Sequence, residues 1–304
     1  KKWQNCLYMP YLQANSNTYG TIEKLKSVYE PLLTLPNIVG ISIATRADCF
    51  NEEIYNYLDE LNKKIPIQIE LGLQTIHEKT AKLINRQTEL CEFEYAIKRL
   101  REINIEIVVH IINGLPYENK NDMLETVKYI NSLDIQGIKI HSLLVLKNTK
   151  LASLYEKEQF KILTLEEYVE VCKIANTLDI DGLELNVSCP NVKEGGIAFG
   201  QDPKQVEKLT AEIKKRAKQP VIMKLTPNVT DITEMARAAE AGGADALSLI
   251  NTLTGMKIDI NRKTFAIANK TGGVSGPAIH PIAVRMVYQV ANAVNIPIIG
   301  MGGI

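Results

Sequence analysis

A thiol flanked by two amide side chains is the first feature of the sequence that could do chemistry. Cys189 lies between Asn186 and Asn191, at the end of the apolar run 182–188. A cysteine at such a place can act as a base, and amide groups can hydrogen-bond a planar polar ligand. A small buried core cysteine would show the same pattern, and both interpretations stay open on these residues alone.

Polar residues also end two later apolar runs. Lys224 closes the run Val221-Ile-Met-Lys224, and Asn251 and Thr252 follow the run that ends at Ile250. A lysine that closes a buried strand must be paired or face a ligand, because an unpaired buried ammonium is costly. The alternative is a surface lysine whose alkyl stem covers apolar surface while its ammonium reaches water.

Two glycine-rich segments could hold a phosphate group. Residues 272–277 read Gly-Gly-Val-Ser-Gly-Pro before an amphipathic segment, and residues 300–303 read Gly-Met-Gly-Gly after an apolar run. Backbone N–H groups at such loops and helix starts bind phosphate, often late in a parallel barrel. Turns also use glycine, so each segment alone is weak evidence.

The elements that would position these residues are parallel strands alternating with helices. Short apolar runs alternate with segments of helical period, which predicts an α/β fold of the parallel (βα) TIM-barrel type. Nine strands exceed the eight of one barrel, so we expect two fused partial barrels, with five strands and then four. The predicted strands are 7–14, 39–45, 66–73, 106–112, 137–146, 182–188, 220–225, 245–250 and 296–300.

The predicted boundary between the two parts lies inside a helix. We expect helices at 122–133 and 165–177, the second beginning after a capping box of Thr164 and Glu167. No Pro/Gly/Ser linker interrupts the chain, and the seam falls at about residues 166–171. The predicted parts are 1–171 and 172–304. The chain lacks an initiator Met and stops after an apolar run, so we expect both ends to be cut.

Composition narrows the class of protein without naming a function. Lys+Arg and Asp+Glu number 35 each, so no overall charge favours nucleic acid or an anionic membrane. The five cysteines form no closely spaced pair, which predicts no metal motif and no disulfide framework. No apolar run is long enough to span a membrane, and no signal peptide is present. We expect a cytoplasmic protein.

The C-terminal motifs resemble a known enzyme family. The segments NVSCPNVKEGGIAFG, VIMKLTPNVTD, LSLINTLTGM, NKTGGVSGPAI and IPIIGMGGI are similar to class 1 dihydroorotate dehydrogenase, nearer the 1B form. The resemblance implies that Cys189 is the base that deprotonates dihydroorotate while a hydride passes to FMN. It implies that the pyrimidine is held by Asn186, Asn191, Asn251 and Thr252. It implies that FMN is held by Asn186, Lys224, Ile250, Gly276, Gly302 and Gly303.

The N-terminal motifs resemble a different family. Segments such as YLQANSNTYG, ELGLQTIHEKTAKLINR and HIINGLPYEN are similar to a bacterial branch of the radical S-adenosylmethionine (SAM) superfamily, related to the elongator catalytic subunit. The resemblance implies that Glu70–Gln74 and Ile112–Pro116 line a SAM pocket. A solvated carboxylate at Glu70 and a plain turn at Gly114–Pro116 are the alternatives. His110 and His141 lie in apolar strands and are interpreted as satisfied core histidines.

The two resemblances lead to three hypotheses about function. The first is FMN-dependent oxidation of dihydroorotate, with an electron-transfer subunit as partner if the protein is of the 1B type. We expect low activity, because residues 1–171 resemble none of the family's first three barrel strands, which supply a substrate-binding lysine. The second is a radical SAM fragment, which would need a 4Fe-4S cluster; Cys6, Cys49 and Cys91 are too far apart to hold one. The third is an inactive chimera.

Overall fold

The chain forms two compact units of α/β structure. The computed structural model describes residues 7, 9–13, 16–143, 145, 149–164, 167, 170, 182–186, 199–266 and 270–303. The first unit comprises Lys1–Ile111 and Glu125–Ile138, and the second comprises Ile112–Leu124 and Lys139–Ile304. Within the described ranges, no helix has both the length and the apolar character needed to cross a bilayer.

The first unit is built on parallel strands. They are β1 (Tyr11–Leu12), β2 (Ile41–Thr45), β3 (Ile67–Gln74) and β4 (Glu106–Asn113), whose last two residues fall in the second unit. They pair in chain order, and every pair is parallel. The helices are α1 (Ile22–Tyr29), α2 (Glu52–Asn62), α3 (Glu78–Leu83) and α4 (Leu90–Glu102), with a short 3-10 helix at Glu30–Thr34.

Side chains alternate across β3, as the pleat of a strand requires. Ile67, Ile69, Leu71 and Leu73 are almost fully buried on one face. The opposite face carries the polar residues Gln68, Glu70 and Gln74. The apolar face supplies core contacts, each buried aliphatic side chain contributing about 1.5–3 kcal/mol. The polar face leaves a carboxylate inside the fold that must find partners.

Three elements follow β4: α5 (Lys120–Asn131), β5 (Gly137–Ser142) and α6 (Lys150–Glu156). The helix α5 starts two residues earlier than the predicted 122–133. Asn119 explains the shift, because its Oδ1 accepts a hydrogen bond from the Asn121 N–H at 2.7 Å, and its own N–H donates to Asp122 Oδ2 at 2.7 Å.

The capping box predicted before the seam is confirmed. The Thr164 N–H donates to Glu167 Oε2 at 2.8 Å, and the Glu167 N–H donates to Thr164 Oγ1 at 3.2 Å. These reciprocal bonds satisfy two backbone donors at a helix start. Most of the predicted helix 165–177 lies outside the described residues.

The second unit repeats the parallel arrangement. Its main strands are β6 (Leu183–Asn186), β7 (Val221–Lys224) and β8 (Ala246–Leu249), and its helices are α7 (Pro203–Lys214), α8 (Ile232–Ala241) and α9 (His280–Ala291). Strand β7 pairs in parallel with both β6 and β8. Short 3-10 helices lie at Phe199–Gln201 and Pro277–Ile279.

Two antiparallel pairs between β8 and α9 were not predicted. Strand β9 (Leu253–Met256) pairs with β12 (Thr271–Val274), and β10 (Ile258–Asp259) pairs with β11 (Thr264–Phe265). The glycine loop predicted at residues 272–277 is therefore shorter than the sequence indicated. Both glycines lie inside β12, where their backbone groups take part in strand pairing. The loop itself begins after Val274.

The last strand, β13 (Ile298–Gly300), pairs in parallel with β8. Each of the nine segments predicted as strands from the sequence contains a parallel-sheet strand, five before residue 143 and four after residue 182. The predicted fold class is confirmed. Buried parallel strands read as continuous Ile, Val and Leu, which is why the sequence located them.

Candidate functional site

A buried lysine lies at the carboxyl end of β7. The Lys224 side chain is only 2% exposed, and its Nζ lies 3.6 Å from Glu184 Oε1 on β6. The same carboxylate oxygen lies 3.8 Å from the Nζ of Lys139 on β5. Burying an ammonium is tolerated here because a carboxylate compensates the charge. The alternative of a surface lysine at Lys224 is excluded.

Two asparagine side chains meet beside this lysine. Asn186 ends β6 and is the register partner of Lys224. The Asn251 Nδ2 group donates to Asn186 Oδ1 at 3.2 Å, and Asn251 Oδ1 accepts from the Thr252 N–H at 2.7 Å. The carboxyl ends of parallel strands meet at one edge, so residues far apart in sequence come into contact there. The structure thus joins Asn186, Asn251 and Thr252, as the sequence predicted.

Asn228 holds the loop that carries Asn251 and Thr252, and sequence reasoning did not select it. Its Nδ2 group donates to the Thr252 carbonyl oxygen at 3.0 Å, and its Oδ1 accepts from the Thr254 N–H at 2.8 Å. The Asn251 N–H donates to the Leu225 carbonyl oxygen at 3.2 Å. The signal in the sequence was Thr-Pro-Asn shortly after Lys224, a turn composition with an amide at its end.

Ser248 is a second residue that sequence reasoning missed. It lies in β8 as the register partner of Lys224, and it is fully buried. Its Oγ has no hydrogen-bond partner among the described residues. Most buried hydroxyl groups are paired, so an unpaired one beside a buried ammonium indicates a place for a polar ligand atom. A lone serine within Ala-Leu-Ser-Leu reads as a small core residue, which hid it.

The glycines at the end of the chain have backbone conformations that side chains disfavour. Gly276 precedes the 3-10 helix with φ 89°, and Gly302 and Gly303 have φ 112° and 86°. A Cβ on Gly303 would lie 2.3 Å from the Cα of His280, at the start of α9. The chain therefore passes the helix start at a distance that only glycine permits.

Ile250 connects the ends of β8 and β13. It is buried, and its N–H donates to the Met301 carbonyl oxygen at 3.0 Å. The Met301 N–H in turn donates to the Leu249 carbonyl oxygen at 2.7 Å. Gly302 follows directly, and a Cβ there would lie 3.3 Å from Ile250 Cγ1.

Two predicted site residues lie outside the described residues. They are Cys189, the predicted base, and Asn191, one of the residues predicted to bind the pyrimidine.

The first unit contains a separate polar network centred on Glu70. This carboxylate is 3% exposed and accepts from the Tyr11 hydroxyl at 2.6 Å and the Ser42 hydroxyl at 3.2 Å. His110 Nε2 lies 2.8 Å from Glu70 Oε2. The alternative of a solvated carboxylate is therefore wrong, because three partners on β1, β2 and β4 replace water. His110 is a satisfied histidine, as expected from the sequence.

The strand end at residues 112–116 shows a further buried amide. Asn113 is 2% exposed, and its Nδ2 has no hydrogen-bond partner within the described part of the chain. Gly114 has φ 84°, and its N–H donates to the Met123 sulfur at 3.3 Å. The segment is thus more than a plain surface turn.

Cys49 and Cys91 are both free thiols, Cys49 partly exposed and Cys91 exposed.

Comparison with known proteins yields two family matches. The family model for dihydroorotate dehydrogenase matches residues 72–304, and the model for the radical SAM superfamily matches residues 13–130. The chain therefore combines sequence of two families. Both resemblances drawn from the motifs are confirmed.

The curated proteins that match this chain include dihydroorotate dehydrogenases. The catalytic subunit of dihydroorotate dehydrogenase B (NAD(+)) of Lachnoclostridium phytofermentans is 75% identical over 141 residues. The corresponding subunit of Alkaliphilus metalliredigens is 64% identical over 141 residues. In both comparisons the match covers 46% of this chain and 47% of the relative. The chain thus spans about half the length of these relatives.

Solved structures match this chain more distantly. The archaeal Methanocaldococcus infernus Elp3 aligns with 24% identity and a TM-score of 0.44, covering 50% of this chain and 36% of that protein. The match to the dihydroorotate dehydrogenase model extends over most of the chain. On that ground the chain belongs to the dihydroorotate dehydrogenase family.

Proposed function

We propose that the second unit binds FMN and takes part in the oxidation of dihydroorotate to orotate, a step of pyrimidine biosynthesis. One observation carries the proposal. The buried ammonium of Lys224 lies at the strand edge where the Asn186 and Asn251 amides are hydrogen-bonded to each other. A cation beside paired amides suits a planar ligand that carries carbonyl and N–H groups.

The residues present fit FMN in three respects. Lys224 offers a buried cation, and Ser248 offers a buried hydroxyl that lacks a partner within the described residues. Gly302 and Gly303 allow close approach to the backbone where α9 begins, and a phosphate is suited to a helix N-terminus. Asn186, Ile250 and Gly276 complete the proposed FMN set. Bound FMN would supply the hydride acceptor for the oxidation.

The remaining site residues would bind and deprotonate the substrate. Asn186, Asn191, Asn251 and Thr252 are proposed to hydrogen-bond the pyrimidine ring, and Cys189 is proposed to remove its proton as the thiolate. A thiolate is a stronger base and nucleophile than a thiol. The loop that carries Asn251 and Thr252 is fixed by Asn228, so the polar groups of these two residues are oriented before a ligand arrives.

The names of the relatives support a proposal about the partner of this chain. Because those relatives are named catalytic subunits of an NAD(+) enzyme, we propose an electron-transfer subunit as the partner of this chain. The proposed substrate is the small molecule dihydroorotate, and the proposed location is the cytoplasm. Residues 1–171 and 172–304 are proposed as the two parts of the chain.

A second candidate function concerns the first part alone. The radical SAM match over residues 13–130 favours a SAM-binding scaffold, as does buried Asn113, whose Nδ2 has no hydrogen-bond partner among the described residues. That activity would require a 4Fe-4S cluster as well as SAM. The third possibility is a chimera in which neither site is active, and oxidation of dihydroorotate by the flavin-loaded protein separates it from the first.

Flavin binding by the purified chain tests the proposal. FMN is titrated into wild-type protein, Lys224→Met and the control Lys215→Met, and bound flavin is followed by fluorescence. Lys215 is a surface lysine of the same unit, with a side chain 68% exposed. Loss of a charged partner costs about 1.5–3 kcal/mol, so the Lys224→Met Kd should rise roughly ten- to hundredfold. Equal affinities of the two variants, or a wild-type chain that binds no flavin, would contradict the proposal.

A further inference from the structure

We infer that His141 is a positioning residue of the proposed pyrimidine site. Asn186 Nδ2 lies 3.4 Å from His141 Nδ1, which extends the contact between Asn251 and Asn186 by one more residue. The four residues Thr252, Asn251, Asn186 and His141 form a continuous series of hydrogen bonds, called here the amide chain. The inference rests on the proposed function, because it concerns residues proposed to hold the pyrimidine.

The amide chain has a defined direction. It begins at the backbone N–H of Thr252, which can only donate, so the group of Asn251 that lies 2.7 Å away must be its oxygen. The opposite end of that amide is then the NH2 group, which donates to Asn186 Oδ1. The same reasoning turns the NH2 group of Asn186 toward His141. Each orientation follows from the one before it.

The direction of the amide chain also determines the tautomer of His141. Since Asn186 Nδ2 carries only donor hydrogens, His141 Nδ1 must be the acceptor. A neutral imidazole that accepts at Nδ1 carries its proton at Nε2. His141 thus accepts from the NH2 group of Asn186 and holds this amide at the end opposite to the contact with Asn251. Without His141, that NH2 group loses an acceptor, and within the amide chain only Asn251 holds the amide.

His141 lies on β5, which precedes the motif segment 172–304 but falls within the wider dihydroorotate dehydrogenase match over residues 72–304. Lys139 and His141 are two positions apart on β5, and they contact Glu184 and Asn186, which are two positions apart on β6. Residues two apart lie on one face of a strand, so the two strands present matching pairs. The part of the chain that precedes residue 171 therefore contributes a side chain to the proposed site.

The orientation of the Asn186 amide determines which hydrogen-bonding groups of a ligand it can match. The ring edge of orotate alternates carbonyl acceptors with N–H donors, and it is recognised only when each amide presents the complementary group. A site built to pair such groups loses affinity when one partner is turned the wrong way, because a buried polar group is left unmatched. Fixing Asn186 through His141 therefore contributes to affinity for the pyrimidine more than to affinity for FMN.

Three His141 variants test the inference in the FMN-loaded protein. His141→Leu removes the acceptor, His141→Asn keeps an oxygen near the position of Nδ1, and His141→Gln places its amide farther out, near the position of Nε2. Ile138→Val is the matched control, since Ile138 is a buried residue of the same strand on the opposite face. Orotate Kd is measured by calorimetry, and FMN Kd by fluorescence.

The expected result separates positioning from general stability. We expect His141→Leu and His141→Gln to raise the orotate Kd about tenfold, the equivalent of one hydrogen bond. The FMN Kd should rise by a clearly smaller factor, because Asn186 is only one of several residues proposed to hold FMN. His141→Asn and Ile138→Val should bind orotate like wild type. Equal orotate affinity of the Asn and Gln variants would overturn the inference, even if the Leu variant does not fold. A wild-type protein that binds no FMN would overturn the proposed function itself.

Discussion

Single residues provide most of the support for the proposed site. Lys224, Asn186, Asn251 and Thr252 were selected from the sequence because polar groups directly after apolar strands are unusual, and the structure brings them together. Ser248 and Asn228 were not selected. Their types are common in cores and turns, and only strand register and loop contacts reveal what they do.

Ser248 offers a test in which stability and binding change in opposite directions. Its buried Oγ has no partner in the described part of the chain, so Ser248→Ala removes a desolvated hydroxyl without breaking a hydrogen bond. We expect the flavin-free protein to gain up to about 1 kcal/mol in the free energy of unfolding, while FMN binds more weakly. Denaturant unfolding and flavin titration measure the two effects.

Ser42→Ala is the matched control for that experiment. Ser42 is also buried, but its hydroxyl has acceptors at Glu70 and Gln68. This variant should lose about 1 kcal/mol of stability, because it breaks a hydrogen bond to a buried carboxylate. If Ser248→Ala lost as much stability as Ser42→Ala, Ser248 would have a structural partner and its role toward FMN would be withdrawn.

At the level of secondary-structure elements, periodicity predicted the parallel strands and missed the antiparallel pairs. Segments rich in Ile, Leu and Val mark the strands β2 to β8, including β3, in which polar residues alternate with apolar ones. Strands β9 and β12 read Leu-Thr-Gly-Met and Thr-Gly-Gly-Val, with glycine at positions that would weaken an ordinary strand. Gly273 is needed because a Cβ there would lie 2.5 Å from Thr252 Oγ1, a tertiary contact that no local pattern reports.

Gly276 and Gly303 lead to a prediction about how closely the backbone packs against the start of α9. Gly276 and Gly303 have similar φ of 89° and 86°, but a Cβ on Gly276 would meet no atom within 4 Å. Gly276→Ala should therefore cost only the backbone strain, about 1–3 kcal/mol. Gly303→Ala should cost more, because its Cβ would collide with the backbone of His280. Denaturant midpoints of the two variants compare these costs, and equal midpoints would contradict the packing described for Gly303.

Asp245 links α7 to the start of β7, and its ionisation predicts a pH dependence. Burial raises the pKa of Asp245, but hydrogen bonds from Lys214 and from the Val221 N–H outweigh it and leave the pKa below its usual value. A carboxyl whose pKa is lower in the folded state stabilises the fold above its unfolded pKa of about 3.9, and the contribution is lost as pH falls through the folded pKa.

Asp245→Asn should therefore flatten the stability profile at acid pH. The variant should be less stable than wild type near neutral pH, and the difference should shrink below about pH 4. Urea unfolding across this range measures it. A constant difference between Asp245→Asn and wild type at every pH would show that the carboxylate charge does not contribute.

At the level of the whole molecule, the chain combines two families, and its motifs alone indicate both. Motif resemblance predicted the pair that the family matches show over residues 13–130 and 72–304. The contribution of β5 to the second unit was not predictable. It depends on which strand lies beside β6, and the motifs of the segment 172–304 do not specify that neighbour.

The anaerobic reaction of the FMN-loaded chain with dihydroorotate is the decisive test of the proposed function. Flavin absorbance is recorded after mixing, and orotate is quantified in the same sample. We predict bleaching of the flavin, with one orotate formed for each FMN reduced, since hydride transfer is a two-electron step. Cys189→Ser should slow this reduction near neutral pH, because a hydroxyl is a far weaker acid than a thiol and is rarely ionised. Tight FMN binding with no reduction by dihydroorotate, and no orotate formed, would contradict the proposed function and leave the chain a flavin-binding chimera without this activity.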